Sequence, residues 1–266
     1  GTDVDLGTTT IPATGSVTVT VDDGAGGDVI ANVVLVPTED HVGDVGGSVY
    51  GNFAESRCVP YLGPPHGGSP ACNRVLVQGS ETFIAPAGSY WIYASRGPFA
   101  TIARERIEVR DGEQIDVSLT SRLLPTLAAG TLSADFHVHA GASFDSSLPE
   151  TDRALSFVAS GVDVIAATDH DVVTTYAAAL TALALEDRVV VMPGVETTGQ
   201  ILFYEPPGAE IPKVIGHYNF WPLRADALLA RNGAPNDERL EPGALFDRIA
   251  PLYAGAGVAQ LNHPFA

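Results

Sequence analysis

A chain of 266 residues suits two domains of ordinary size or one large domain, and a hydrophobic content of 45% is enough to build a core. Its 32 acidic residues outnumber 14 basic ones, and the net charge of −18 would repel nucleic-acid phosphates and anionic membrane surfaces. No apolar run approaches the roughly 20 residues that a transmembrane helix requires. We therefore expect no nucleic-acid partner and no membrane span.

Residues 1–125 show the rhythm of an all-β domain. Val17, Val19 and Val21 alternate with polar residues, which is typical of a strand with one buried face. Short apolar runs follow, and the pattern on both sides of Asp111–Gly112 favours a β-hairpin. Several short strands separated by turn signals predict an N-terminal β-sandwich that forms an accessory domain.

Two features of this first half bear on the cellular location of the protein. The stretch "PAGSYWIYASRG" resembles the small transthyretin-like or carboxypeptidase-regulatory-like sandwich domains that precede secreted enzymes. Cys58 and Cys72 lie in one loop rich in Pro and Gly, and no other cysteine competes, so we expect a disulfide. Two unpaired thiols in a cytosolic protein are the alternative. The disulfide and the accessory domain together predict a secreted or periplasmic protein.

From residue 131 the rhythm changes to strands that are apolar throughout and alternate with helices. Such strands are typical of a parallel sheet buried on both faces, so residues 131–266 predict an α/β domain, either a barrel or a doubly wound sheet. The predicted elements are, in chain order, a strand over 132–139, a helix over 147–161, a strand over 162–170, a helix over 172–187, strands over 188–198 and 213–222, a helix over 242–257 and a strand over 258–265.

Side chains that could bind metal fall in or after each predicted strand of this second half. In parallel α/β folds the carboxyl ends of the strands meet on one face, and histidines at positions i and i+2 of a strand share a face. Neutral imidazoles with a few carboxylates are suitable ligands for a divalent cation. Each residue alone has a simpler explanation, such as a helix cap or a core histidine, but the ordered set predicts a metal site. The residues are His137, His139, Asp169, His170, Glu196, His217 and His263.

The series "DFHVH", "ATDHD", "PGVETT", "GHYNFWP" and "LNHPF" resembles the PHP family, the polymerase and histidinol phosphatase superfamily of metal-dependent hydrolases. The resemblance spans residues 131–266, and "GHYNFWP" is similar to the branch that includes the carbaryl hydrolase. It implies a distorted (β/α)7 barrel that holds up to three divalent metal ions, commonly zinc, manganese or iron.

Carried over by position, the resemblance assigns three groups of ligands. They are His137, His139 and Glu196 on a first metal, Glu196, His217 and His263 on a second, and Asp145 and His170 on a third. Asp135 and Asp169 are expected to orient ligating imidazoles from behind. Glu196, His170 and Asp169 are the expected catalytic residues.

The chain departs from the family pattern at its end. The family closes its site with a late Asp-x-His near the last strand, whereas this sequence stops at "NHPFA". Residues 131–266 are also fewer than the roughly 200 that a full barrel takes, so we expect either a natural protein that continues beyond Ala266 or a partial barrel that lacks its last strands. Its open edge would expose apolar surface, which an oligomeric contact could cover.

The expected function is hydrolysis of a small-molecule ester. A water that bridges two cations would become the nucleophile, and phosphate esters are the commoner substrates of the family. A carboxylic or carbamate ester acted on by the same site is one alternative. An amidohydrolase is another, but the only lysine, Lys213, is badly placed for the carboxylated bridge of that group. A non-catalytic metal-binding or scaffold module is the third.

Overall fold

The computed structural model describes residues 13–37, 74–126, 128, 130–199, 216–237, 240 and 242–263. The chain divides into two compact units, residues 1–126 and 127–266. Cys58 and Cys72 lie outside the described residues, so the disulfide stays a prediction. Among the helices described, the longest has ten residues, and none combines the length and apolarity needed to cross a bilayer.

The described part of the first unit is made of strands that pack around one core. Val17, Val19 and Val21 are fully buried, as their alternation predicts, and they meet the inner residues of the other strands in a single apolar cluster. The strands form two sheets, with the orders β4-β1-β7 and β3-β2-β5-β6. Their bounds are β1 (Thr14–Asp22), β2 (Ile30–Pro37), β3 (Arg74–Gln78), β4 (Ser80–Pro86), β5 (Gly88–Ser95), β6 (Ala103–Val109) and β7 (Gln114–Thr120).

The predicted hairpin around Asp111–Gly112 is wrong. β6 pairs with β5 in one sheet, whereas β7 pairs with β1 in the other. The turn itself forms, because Gly112 adopts a φ of +68° and the N–H of Glu113 donates to the carbonyl oxygen of Arg110. The turn carries the chain from one sheet to the other, a difference that alternation of apolar residues cannot encode, since both strands bury one face either way.

The second unit contains two three-stranded sheets and three α-helices in its described part. One sheet is parallel, in the order β10-β9-β8, and the other is antiparallel, in the order β11-β12-β13. The elements are β8 (Ala134–Val138), α1 (Glu150–Ala159), β9 (Val164–Ala167), α2 (Ala177–Leu183), β10 (Val190–Pro193), β11 (Val195–Thr197), β12 (Tyr218–Leu223), α3 (Pro242–Ile249) and β13 (Tyr253–Leu261), with short 3-10 helices at Ala230–Gly233 and Ala250–Leu252.

The predicted α/β fold with a partial (β/α)7 barrel is therefore wrong. The described residues form thirteen strands in four sheets and only three α-helices, so the protein is mainly β. Within the described part of the chain there are two strand–helix–strand units, β8-α1-β9 and β9-α2-β10, and β12 and β13 are both antiparallel to their neighbours.

A buried apolar strand does not reveal in which direction it runs through its sheet. Phe220, Trp221 and Leu223 of β12 are all buried, which the sequence shows as a continuous apolar run. Burial on both faces does not fix strand direction, because an antiparallel strand is equally apolar when helix α3 packs on it through Leu245 and Ile249.

The predicted strand over 188–198 is divided between the two sheets. Pro193 is the last residue of β10 and Val195 the first of β11, so the chain changes sheets at Gly194. A Cβ atom on Gly194 would lie 2.8 Å from the carbonyl oxygen of Phe220 and 3.0 Å from that of Ala167. Only a glycine allows the backbones of the two sheets to approach so closely at this point.

β13 lies at an edge of the antiparallel sheet within the described residues. It pairs with β12 only, and its side chains Val258 and Leu261 are about half exposed. Such an edge offers unpaired backbone groups for pairing. An oligomeric contact there stays a prediction.

Replacing Gly194 by Ala should destabilise the second unit by about 1–3 kcal/mol, because two backbone oxygens would have to move to admit the methyl group. Thermal unfolding followed by tryptophan fluorescence in a Trp91→Phe background, where the signal comes from Trp221 buried in β12, measures this. The matched control is Gly243→Ala in α3, where a Cβ meets nothing within 4 Å and which should be neutral or slightly stabilising. Equal melting temperatures for the two variants would contradict the role given to Gly194.

Candidate metal centre

β8 presents two histidines side by side. His137 lies in β8, and His139 comes directly after the strand, two residues beyond His137. Both imidazoles therefore project to the same side. Their Nε2 atoms are 3.0 Å apart. The side chain of Val138 between them is buried on the opposite face. The backbone N–H of Val138 donates to the hydroxyl of Thr168. The intervening valine fixes the pair by burying its own side chain in the core.

Glu196 is the centre of the site. It is the middle residue of β11 and is fully buried. Its Oε2 atom lies 2.7 Å from the Nε2 atoms of both His137 and His139. Its backbone is held as well, because the N–H of Asp171 donates to the carbonyl oxygen of Glu196 at 2.9 Å. One buried carboxylate oxygen thus receives two imidazoles from the neighbouring sheet.

The antiparallel sheet supplies further groups to the other oxygen of Glu196. His217 precedes β12 and His263 follows β13, and they meet because Tyr218 pairs with Leu261 in antiparallel register. The Oε1 atom of Glu196 accepts from Asn262 Nδ2 at 2.9 Å, and it lies 3.1 Å from His217 Nδ1 and 3.3 Å from His263 Nε2. The five histidines therefore converge, but His217 arrives from the beginning of its strand.

Asp145 and His170 complete the cluster, and the ring of His170 lies edge-on to that of His217 with the centroids 5.1 Å apart. Asp145 Oδ1 lies 3.0 Å from His139 Nδ1, and its Oδ2 lies 3.6 Å from His170 Nε2. The hydroxyl of Ser143 donates to Asp145 Oδ1 at 2.6 Å and accepts from the backbone N–H of His170 at 3.1 Å. Ser143 thereby connects the loop after β8 to the loop after β9.

The arrangement could hold a metal ion. Three groups each bring one ligand atom per residue within 4.8 Å of one another: His137, His139 and Glu196; His139, Asp145 and His170; and His170, Glu196 and His217. Imidazole nitrogens and carboxylate oxygens are the donors that divalent transition metals accept, and two donors on a tetrahedral ion lie about 3.4 Å apart. The Oε2 atom of Glu196 lies 2.7–3.7 Å from the Nε2 atoms of His137, His139 and His170, which is close to that separation.

The three groups overlap the expected ligand sets without reproducing all of them. The first expected set, His137, His139 and Glu196, is one of the groups. Asp145 and His170 share a group with His139. The remaining group contains His170 with Glu196 and His217, whereas the expected set had His263 in that place. His263 belongs to none of the three groups of described residues, although it contacts Glu196.

The two carboxylates expected to orient imidazoles contact backbone instead. Asp135 Oδ1 accepts from the backbone N–H of His137 at 3.0 Å. Asp169 is fully buried, and it accepts from the backbone N–H of Ala140 at 2.6 Å and from the hydroxyl of Thr174 at 2.5 Å. Asp169 therefore fixes the chain just after His139 and does not face the centre of the cluster.

The protonation of the central groups follows from their contacts. Burial alone would raise the pKa of Glu196, but the hydrogen bonds from His137, His139 and Asn262 outweigh it and hold that pKa well below its usual range. Burial likewise would lower the pKa of His139, but its contacts with Glu196 and Asp145 raise it. For His170 burial prevails and lowers the pKa. The cluster thus pairs an ionised carboxylate with a neutral, buried imidazole.

The cluster is open to solvent on one side. The side chains of Glu196 and His170 are 1% and 4% exposed, whereas those of Asp145 and His263 are 43% and 46% exposed. Phe144 stands on the open side and stacks on the ring of His170, with the ring centroids 4.6 Å apart. A small molecule could therefore reach Asp145 and His263 from solvent, while the carboxylate of Glu196 stays shielded from water.

Four polar residues that hold the cluster were not expected from the sequence: Ser143, Asp171, Thr198 and Asn262. Asn262 had a usable signal, because it directly precedes His263 at a strand end. The others lie in loops whose geometry decides their role. Asp171, for example, adopts a φ of +57°, which no sequence pattern indicates.

Comparison with models of known protein families and with curated proteins finds no match to this chain. The resemblance to the PHP family therefore stands on the motifs alone. Any function has to be argued from the geometry of the cluster and the chemistry of its donors.

In metal-free protein the raised pKa of His139 should make the second unit less stable as pH rises. A histidine with a folded pKa above its unfolded value of 6.5 stabilises fully below that value, and the contribution is lost as pH passes the folded pKa. The free energy of unfolding of the wild type minus that of His139→Asn should therefore fall as pH rises from 6.5. Urea unfolding in the presence of chelator measures the free energy of unfolding of each protein. A Trp91→Phe background leaves Trp221 as the only tryptophan, so its fluorescence reports the second unit.

The comparison isolates His139 because His170, whose lowered pKa gives the opposite pH dependence, is present in both proteins. A difference that stays constant or grows with pH would contradict the raised pKa of His139.

Proposed function

We propose that this protein is a metal-dependent hydrolase that acts on phosphate esters, with its active site at the cluster around Glu196. The observation that carries the proposal is the contact of both oxygens of one buried carboxylate with four imidazoles, two on Oε2 and two on Oε1. Burying a carboxylate is costly unless it is paired, and a buried carboxylate among several imidazoles is the arrangement of a site that binds a cation. The order of the motifs, which resembles the PHP family, is a second support.

The proposed cofactors are divalent cations, zinc, manganese or iron, up to three of them. His137, His139 and Glu196 would hold one, and the groups that contain His170 would hold the others. Such cations supply Lewis acidity, which polarises the ester oxygen and lowers the pKa of a water molecule. The rest of the chemistry belongs to the side chains of this chain.

Each central residue has a task in this proposal. Glu196 stays ionised and balances the charge of the cations from a buried position. His170 is a neutral ligand because burial lowers its pKa. Asp145, whose pKa is held down by Ser143 and His139 against the effect of burial, is a carboxylate on the solvent side that can accept a proton from the attacking water. Asp169 positions the chain after His139 without touching the substrate.

A carboxylic or carbamate ester is a second candidate substrate, and one observation favours it. Among the described residues, no arginine or lysine forms an ion pair with the cluster. Arg153 lies nearby, but its Nε donates to the backbone carbonyl of His139 at 2.7 Å. A phosphate group would have to rely on the cations for its charge, whereas a neutral ester needs no cationic side chain.

The proposal predicts that hydrolysis depends on metal and on Glu196. Protein stripped with a chelator should be inactive, and zinc, manganese or iron(II) added singly should restore turnover of p-nitrophenyl phosphate, bis(p-nitrophenyl) phosphate, p-nitrophenyl acetate or an aryl carbamate. Glu196→Gln should lower kcat/KM by more than about a hundredfold, because the amide cannot carry the charge that the cations require. Stopped assays and elemental analysis of bound metal measure both effects.

Glu186→Gln is the matched control, since Glu186 is an exposed carboxylate after α2 and should leave activity unchanged. Bound metal without turnover of any of the four esters would overturn the hydrolase proposal and leave a metal-binding module. Absence of both metal and turnover would overturn the metal centre itself.

A further inference from the structure

We propose that Thr198 and Asp171 position His170 by keeping its ring proton on Nδ1, so that Nε2 presents its lone pair to the metal centre. The inference rests on the proposed metal site and adds two positioning residues to it. Neither residue was expected from the sequence.

The three residues form a short hydrogen-bonded chain. Thr198 Oγ1 lies 2.5 Å from Asp171 Oδ2 and 3.2 Å from His170 Nδ1. The backbone N–H of Thr198 also donates to Asp171 Oδ1 at 3.0 Å. The whole residues Thr198 and His170, backbone included, are 8% and 7% exposed, so water competes little for these bonds.

The direction of the bonds follows from counting protons. The carboxylate of Asp171 can only accept, so the single hydroxyl proton of Thr198 is donated to it. Thr198 Oγ1 then has only lone pairs to offer to His170. The contact of 3.2 Å with Nδ1 is a hydrogen bond only if Nδ1 carries the ring proton. In a neutral imidazole Nε2 is then free of a proton.

The surroundings of Nε2 fit that assignment. Nε2 of His170 lies 3.6 Å from Asp145 Oδ2 and 3.7 Å from Glu196 Oε2, both too long for a hydrogen bond. A lone pair that faces two carboxylate oxygens at this range is repelled unless a cation lies among them. The same nitrogen is a member of two of the three candidate ligand groups.

The backbone of Asp171 keeps the chain of bonds in place. Its φ of +57° is the left-handed conformation that aspartate and asparagine tolerate better than other residues that carry a Cβ. Its N–H donates to the carbonyl oxygen of Glu196 at 2.9 Å, so the loop after β9 is fastened to β11 next to the central carboxylate. An asparagine at position 171 should therefore keep the backbone while changing the direction of the hydrogen bonds.

Asp171→Asn should reverse the chain of bonds. The amide oxygen would still accept from the backbone N–H of Thr198, which turns the amide nitrogen toward Thr198 Oγ1. Thr198 would then accept from the amide and donate its own proton to Nδ1 of His170. The ring proton would move to Nε2, where it blocks the lone pair that a metal needs.

Long-range 1H–15N correlation spectra of the full chain in chelator, at about pH 8 so that the imidazole is neutral, report which ring nitrogen is protonated. The His170 signal is assigned from its loss in His170→Gln. We expect the proton on Nδ1 in the wild type and in Thr198→Ser, and on Nε2 in Asp171→Asn. Thr198→Val, which keeps the shape but loses the hydroxyl, should also lose the preference for Nδ1.

Zinc affinity, measured by competition with a chelating dye, should fall about 10–100-fold in Asp171→Asn and Thr198→Val and recover in Thr198→Ser. A proton on Nε2 in the wild type, or one that stays on Nδ1 in Asp171→Asn, would overturn the inference. The tautomer is recorded without substrate, so an inactive protein would overturn the hydrolase proposal alone. If Asp171→Asn does not fold, the Thr198→Ser and Thr198→Val pair decides.

Discussion

The second unit is built around a buried negative charge. Glu196 is fully buried, and the polar side chains within 3.3 Å of its carboxylate come from other parts of the chain: His137 and His139 from the parallel sheet, and His217, Asn262 and His263 from the antiparallel one. A carboxylate in such a place is tolerated only when its partners are held in position. The strands, the glycine at the change of sheets and the loop hydrogen bonds can all be understood as the means of holding them.

The position of Glu196 depends on how closely two sheets of different type approach. β10 belongs to a parallel sheet and β11 to an antiparallel one, and the single residue between them is Gly194. That close approach brings the ends of β8 and β9 next to the end of β11. The antiparallel register of β12 and β13 then brings His217 and His263 to the same place from opposite chain directions. Two sheets, neither of which is a barrel, thus assemble a cluster that the sequence suggested for a barrel.

The sequence predicted the members of the cluster better than the fold that unites them. His137 and His139 were predictable, because residues i and i+2 of a strand share a face whatever the sheet around them. His170 follows the rule for strand ends, because it lies just after β9 of the parallel sheet. Glu196 was expected at a strand end, but it is the middle residue of β11 in the antiparallel sheet. His217 does not: it begins a strand, and only the antiparallel register places it at the site. Strand direction is set by tertiary packing, which an apolar run does not record. The roles of Thr198 and Asp171 depend on one left-handed residue in a loop, and hydroxyl and carboxylate side chains are too common in loops to give a signal.

The division of the candidate ligands between the two sheets also bears on how a bound ion would affect stability. A bound cation would tie the two sheets together, so occupancy would add to the cohesion of the unit by mass action. Without an ion, the contacts between β8 and β11 at this site would rest on the hydrogen bonds of Glu196 alone. A shortage of the metal would then increase the rate at which the protein is degraded by proteases. The amount of folded protein would therefore depend on the concentration of the ion.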